Sequence, residues 1–214
     1  MSAFCLAAII GGAVTSPAQD FALEPFLQSA TIDGPTGLLT IPTATVLDNK
    51  CYALAVHKYL VKVNFGLFSR LELGIRADVE QFRTDGSNDN RYLFHGKYRF
   101  VSEPDQPVSA SLGFWDKDLY LSLDKHLVNF YDLYATTGVK LQENGRWRLM
   151  FGVAKVINNS EFIFDKAGGT YNIGYRMMFA QKIKLDLGLI DLQNYKHFGF
   201  DNLVFGINFS EPLW

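Results

Sequence analysis

Eight times along the chain a glycine sits on the polar side of a run that alternates strictly between apolar and polar residues. The runs are VKVNFGLF, LELGIRAD, SASLGFW, TTGVKL, RLMFGVAK, YNIGYRMM, KLDLGLID and LVFGINF, carrying Gly66, Gly74, Gly113, Gly138, Gly152, Gly174, Gly188 and Gly206. Period-two alternation predicts half-buried strands, because successive side chains point to opposite faces. In a water-soluble sheet the polar face is the exposed one, and glycine there weakens the strand without adding packing. In a membrane barrel the polar face is the lumen, where small residues interleaved with charges fit a crowded, hydrated interior while the apolar face meets lipid. The repeat therefore predicts an all-β fold, a transmembrane antiparallel β-barrel in the outer membrane of a Gram-negative bacterium.

The rest of the composition agrees. Aromatic residues make up 14% of the 214 residues, as fits greasy outer faces and interfacial rings. The net charge of −2 with no basic stripe argues against a nucleic-acid partner. Beyond the N-terminus no run approaches the roughly 20 apolar residues of a spanning helix. Residues 3–14 are apolar and Ser16-Pro17-Ala18 resembles a small-x-small cleavage site, so residues 1–18 read as a signal peptide, though without a basic start. Its removal takes Cys5 and leaves Cys51 alone, with no intrachain disulfide.

Residues 19–50 hold Pro25, Pro35 and Pro42 and no alternating run, which predicts a periplasmic or lumen-lying lead segment before a barrel over 51–214. Strands are expected near 51–59, 61–68, 70–80, 91–101, 107–115, 118–125, 131–142, 146–156, 160–165, 169–179, 182–191 and 201–210. That is about twelve, with ten the nearest alternative if the first two runs merge and the run at 160 is lost. Outer-membrane barrels have short periplasmic turns and longer outer loops. With a periplasmic N-terminus, the turns at Ser69-Arg70 and Ala180-Gln181 fall on the periplasmic side, and FRTDGSNDN and LQNYKHFGF fall outside. The tight Glu143-Asn144-Gly145 turn also lands outside, against that trend.

The stretch GPTGLLTIPTATVLDNKCYALAVHKY, followed by VNFGLFSRLELGIRADV, resembles the opening of YjbH-like outer-membrane proteins. Their Gly-x-x-Gly-Leu-x-x-x-Pro-x-Ala element falls here on Gly34, Gly37, Leu38, Pro42 and Ala44, and a Gly-Leu-Phe-x-Arg-Leu-Glu-Leu-Gly hairpin on Gly66 to Gly74. The resemblance implies an outer-membrane barrel associated with exopolysaccharide export. Physically, the element has two glycines that permit tight backbone, a proline that restricts it, and Leu38, Leu39 and Ile41 to bury. It is expected to close the periplasmic end of the barrel, or else to lie as an ordered linker on its rim.

The expected lumen charges are Glu72, Arg76, Asp78, Lys97, Arg99, Lys140, Arg148, Arg176, Lys184 and Asp186. An unpaired charge against low-dielectric walls is costly, so these are expected to pair and fill the interior. The competing expectation is a channel lining with a cationic bias, since Lys97, Arg99, Lys140, Arg148, Arg176 and Lys184 outnumber Glu72, Asp78 and Asp186. His57, His95, His126 and His197 lack metal-ligand spacing, and no hydrolase, phosphate-loop or Cys-x-x-Cys motif is present, so no metal or cofactor is expected. The loop at 85–90 resembles part of a calcium loop but lacks its distal Glu. Trp115 and Trp147 read as interfacial anchors. The sequence thus predicts a non-enzymatic barrel for exopolysaccharide export or cell-envelope assembly, acting as a narrow channel or docking barrel. Its partners would be outer-membrane lipid and polysaccharide or periplasmic envelope proteins. The alternatives are a structural anchor in a larger envelope complex and an outer-membrane hydrolase or acyltransferase.

Overall fold

The computed structural model describes residue 26 and residues 28–80, 92–103, 105–128, 133–180, 182–197 and 199–212. The expected signal peptide, the 85–90 loop and Trp214 lie outside the described residues. Twelve strands follow one another: β1 (Cys51–His57), β2 (Leu60–Leu67), β3 (Leu71–Asp78), β4 (Tyr92–Val101), β5 (Ser109–Trp115), β6 (Asp118–Leu127), β7 (Leu133–Leu141), β8 (Trp147–Ile157), β9 (Ser160–Ala167), β10 (Thr170–Ala180), β11 (Ile183–Leu189) and β12 (Leu203–Pro212). Each pairs antiparallel with its neighbours in the chain, and β1 pairs with β12 from Cys51↔Pro212 to His57↔Gly206. The sheet is a closed barrel with no edge.

Two tight hairpins decide for twelve strands over ten. Lys58 (φ 51°) turns the chain between β1 and β2, and Asn158 (φ 55°) turns it between β8 and β9. The β2–β3 and β10–β11 turns lie at the end where β1 begins, whereas residues 79–91 and 190–202 connect strands at the opposite end.

The polar face of the strands points inward. Glu72, Asn64, Glu161, Asp165 and Lys184 are 0% exposed, while Leu149, Phe94 and Leu187 stand 71%, 61% and 56% exposed on the outer face. Leu73, Leu203, Phe205 and Ile207 are exposed as well, and Leu71, Ile75, Leu185 and Leu189 share their parity. Polar residues inside and apolar residues outside is the reverse of a water-soluble barrel.

Barrels of about eight strands are filled by their own side chains, whereas those of roughly sixteen hold open water. A twelve-stranded lumen lies between, and here the chain itself fills it. Residues 28–48, the plug, run into the barrel without forming a strand of their own; the backbone folds back through isolated bridges at Ala30↔Thr36 and Gly37↔Pro42. Gln28 donates to Asp48 (2.7 Å), so the plug enters and leaves at the end where β1 starts. Leu38, Ile41, Ala44 and Leu47 are fully buried. Leu38, Leu39 and Ile41 form the core with Tyr120, Tyr134, Met150, Ala154 and Ile163 of β6 to β9.

The inward glycines make room for this filling. A Cβ at Gly152 would strike Leu38 and come within 2.9 Å of Ile41, and one at Gly188 would meet Leu39 at 2.8 Å. One at Gly66 would overlap the carbonyl oxygens of Asp48 and Leu47. On Gly74, Gly113 and Gly206 the space is taken instead by His95, Tyr120 and His57 from the neighbouring strands. Because backbone cannot be displaced as a side-chain tip can, Gly66→Ala is expected to cost about 1–3 kcal/mol through overpacking. Gly169→Ala, with nothing within 4 Å of its Cβ, should stay within about 0.5 kcal/mol. Urea-unfolding midpoints of the two variants in detergent micelles check the contrast.

Candidate functional site

An irregular segment inside a barrel brings backbone N–H and C=O groups that no strand partner satisfies, and each left unpaired when buried costs about 1–3 kcal/mol. The wall supplies the partners. Carboxylates take the plug's donors: Glu72 accepts from the Thr36 N–H (2.8 Å), the Thr36 hydroxyl (2.6 Å) and the Leu47 N–H (3.2 Å). Asp124 accepts from the Ala44 (2.5 Å) and Thr45 (3.2 Å) N–H groups and from the hydroxyls of Tyr134 and Thr136. Asp165 accepts from the Thr40 N–H (2.7 Å) and hydroxyl (2.8 Å), with Asn172 donating beside them (2.7 Å).

Donors on the wall take the plug's carbonyls. Lys62 reaches Thr31 O (2.5 Å), Lys97 reaches Thr36 O (2.9 Å), Asn64 reaches Gly34 O (2.8 Å) and Ser122 reaches Pro42 O (2.9 Å). The Arg176 guanidinium lies against the carbonyls of Phe26 (3.3 Å), Leu38 (3.4 Å) and Gly37 (3.5 Å).

A continuous polar chain runs beneath the closing seam of the barrel. Lys62 on β2 donates to His57 Nδ1 (2.6 Å), which leaves the imidazole proton on Nε2, donated to Asp186 Oδ2 (2.6 Å). Arg176 Nε binds Asp186 Oδ1 (2.8 Å), and its Nη1 binds Glu161 Oε2 (2.9 Å). Asn208 of β12 joins at Asp186 (2.5 Å). The chain thereby links β2, β1, β12, β11, β10 and β9, consecutive around the wall.

The structure places the expected lumen charges as follows. Glu72, Lys97, Arg176, Lys184 and Asp186 are buried inside. Lys97 lies 3.7 Å from Glu72, Arg76 pairs with Asp33 of the plug (3.1 Å), and Lys140 pairs with Asp118 (2.8 Å). Arg99 donates to Ser69 O at the β2–β3 turn (2.9 Å). Asp78 ends β3, and Arg148 is exposed at the start of β8. Beyond the expected set, the same alternation puts Lys62, Asp124, Glu161 and Asp165 on the inward face, and all four are buried. With Asp33 they bring the set to eight cations and seven acids, and Arg148, one of the eight, is exposed at the start of β8, so little cationic excess is left inside.

The motif residues Gly34, Gly37, Leu38, Pro42 and Ala44 all lie in the plug, within the lumen and not as a linker on its rim. Gly34 needs its glycine, with φ 138° and the His95 ring 2.9 Å from where a Cβ would sit. Trp115 is not an interfacial anchor. It lies opposite His95 and faces the lumen, where its ring meets Lys140 (3.8 Å) and Arg76 (5.7 Å). Trp147, 67% exposed, stands on the outer side of β8. Among the described residues no group of three or more His, Cys, Asp or Glu could hold a metal ion.

No family model matches the chain, and no curated protein matches it. Among solved structures, it is similar to a multiply substituted Rh. blastica porin, at 13% identity and a TM-score of 0.37, over 71% of this chain and 55% of that one. It is also similar to the KdgM porin in complex with disordered oligogalacturonate, at 9% identity and a TM-score of 0.43, over 75% of this chain and 98% of that one. Both likenesses are slight; the closed barrel is established by its own strand pairing.

Removing one partner from a buried ionic network leaves the others uncompensated, which costs about 3–5 kcal/mol, whereas exposed pairs contribute about 0–1 kcal/mol. Arg176→Met should therefore lower stability by several kcal/mol, since Glu161 and the plug carbonyls lose their donor and Asp186 loses one of three. Lys117→Met, which breaks a pair with Glu143 whose side chains are 64% and 65% exposed, should have an effect below about 1 kcal/mol. Unfolding titrations of both variants check this.

Proposed function

We propose that the protein is an outer-membrane β-barrel closed by its own N-terminal segment, and that it serves the cell envelope as a docking or anchoring barrel. The observation that carries the reading is the inverted polarity of a closed barrel whose lumen is occupied from wall to wall. The apolar outer face supports lipid as its surroundings, and the filled lumen favours anchoring over free diffusion. The mechanism is attachment, not bond chemistry: both ring nitrogens of His57 are bonded to Lys62 and Asp186 and none is aimed at a nucleophile.

The resemblance to YjbH-like proteins supports a place in exopolysaccharide export. Its two motifs meet in space, because Thr36 and Leu47 of the lead segment converge on Glu72 of the β2–β3 hairpin. A second reading, a narrow channel opened when the plug leaves, is favoured by the polar character of the plug's attachments, which water can replace. In planar bilayers the full chain should give no steady pore current. A variant lacking residues 19–48, with a folded barrel verified by its heat-modifiable gel mobility, should conduct. Steady conductance by the full chain would contradict the docking reading, and a silent but folded deletion variant would contradict the plug as the seal.

A further inference from the structure

Of the seven non-glycine residues that hold a positive φ among the described residues, six are polar or charged, and the seventh is Phe68. Phe68 (φ 54°) and Ser69 (φ 58°) turn the chain from β2 to β3. A bulky side chain on left-handed backbone is strained where Asn or Gly is not. Burial of the ring could offset that strain, but Phe68 is 81% exposed, more than any other large apolar side chain among the described residues. Strain that packing does not offset points to a use outside the fold.

Hydrogen bonds fix the turn on every side. The Phe68 N–H donates to Asn49 Oδ1 (2.9 Å), the Lys50 N–H to Gly66 O (3.0 Å), the Arg99 N–H to Arg70 O (2.8 Å) and Arg99 Nη2 to Ser69 O (2.9 Å). Cations thus flank the turn: Arg70 within it, Arg99 beside it on β4 and Lys50 at the exit of the plug. Among the described residues no carboxylate forms an ion pair with Arg70 or Arg99. Asp48, two residues before Lys50, accepts from Gln28 (2.7 Å), and Glu103 of the β4–β5 connection pairs with Lys125 (3.0 Å). The patch lies at the end where β1 starts, the periplasmic end when the N-terminus is periplasmic. Arg99 shares the inward parity of Lys97, and the turn is bonded to the plug's exit, so the patch borders the mouth of the barrel and not only the lipid around it.

We propose that the Phe68 turn is the surface on which an acidic periplasmic protein docks, its ring entering an apolar socket of the partner while Arg70 and Arg99 meet carboxylates at the socket's rim. This rests on the docking reading of the barrel. An aromatic side chain held in place and ringed by arginine is the composition of an interface centre, where such residues are enriched. The cations without acidic partners select a partner of opposite charge. The partner would sit beside the plug's exit, on the hairpin that carries Glu72 and so holds the plug.

The test places the photoreactive analogue p-benzoylphenylalanine at position 68 of the full chain, in cells of the bacterium that makes it, and identifies the products of irradiation by mass spectrometry. One protein adduct is expected, cross-linked through a segment rich in Asp and Glu. Arg70→Glu and Arg99→Glu, each verified as a folded barrel by heat-modifiable mobility, should cut its yield at least fivefold. The analogue at Phe179, also exposed at that end of the barrel, should not give it. In purified protein Phe68→Asn, which suits left-handed backbone, should leave the urea midpoint unchanged or raise it. No adduct, adducts to phospholipid alone, a yield indifferent to both charge reversals, or a lowered midpoint for Phe68→Asn would overturn the proposal and leave the docking reading in place. Steady pore current through the full chain would overturn the docking reading itself.

Discussion

The structure depends on the pairing of the plug's backbone with the barrel wall. A lumen twelve strands wide exceeds the roughly eight-stranded one that wall side chains just fill, and a segment placed in it without regular structure must find partners for its peptide groups. Glu72, Asp124 and Asp165 each gather two or more donors from the plug, while Lys62, Lys97 and Arg176 serve its carbonyls. The dependence is mutual, since without the plug these charges would face one another across a lumen with their partners removed. Plug and barrel are therefore one folding problem.

This coupling also explains where the glycines fall. Carboxylates and ammonium groups come forward where the plug offers a polar group, and glycine recedes where it offers Leu38, Leu39 or its own backbone. The seam follows the same logic. β1 and β12 are the strands most distant in sequence, and the polar chain from Lys62 through His57, Asp186 and Arg176 to Glu161 crosses beneath their junction, tied to the plug at Thr31, Gly37 and Leu38 and also to the Phe26 carbonyl.

Strand number and facing were legible in the sequence because period-two alternation is a local signal, repeated in every strand. The path of residues 28–48 was not, because irregular backbone has no period; proline and glycine marked it as non-strand without saying where it would go. The charge balance depends instead on every inward position at once: Lys62 and Asp165 sit in the same alternation as Asn64 and Ile163 and face inward with them. Trp115 shares the parity of Gly113, which put it in the lumen; its place at a strand end suggested a membrane anchor instead. The resemblance in 34–44 and 66–74 picked out segments that touch in the fold, a relation that sequence spacing does not reveal.

The most direct test of the plug's place in the lumen is residue-resolved amide hydrogen exchange on the folded, full-length protein in micelles. The N–H groups of Thr36, Thr40, Ala44, Thr45 and Leu47 have no strand partner, yet each is bonded to a wall carboxylate. Exchange as slow as that of neighbouring strand amides such as those of β3 and β9 is the predicted result, because each is bonded inside the lumen and opens only when the plug leaves it or the barrel unfolds. Exchange at the rate of exposed loops, with the strands still protected, would contradict the account.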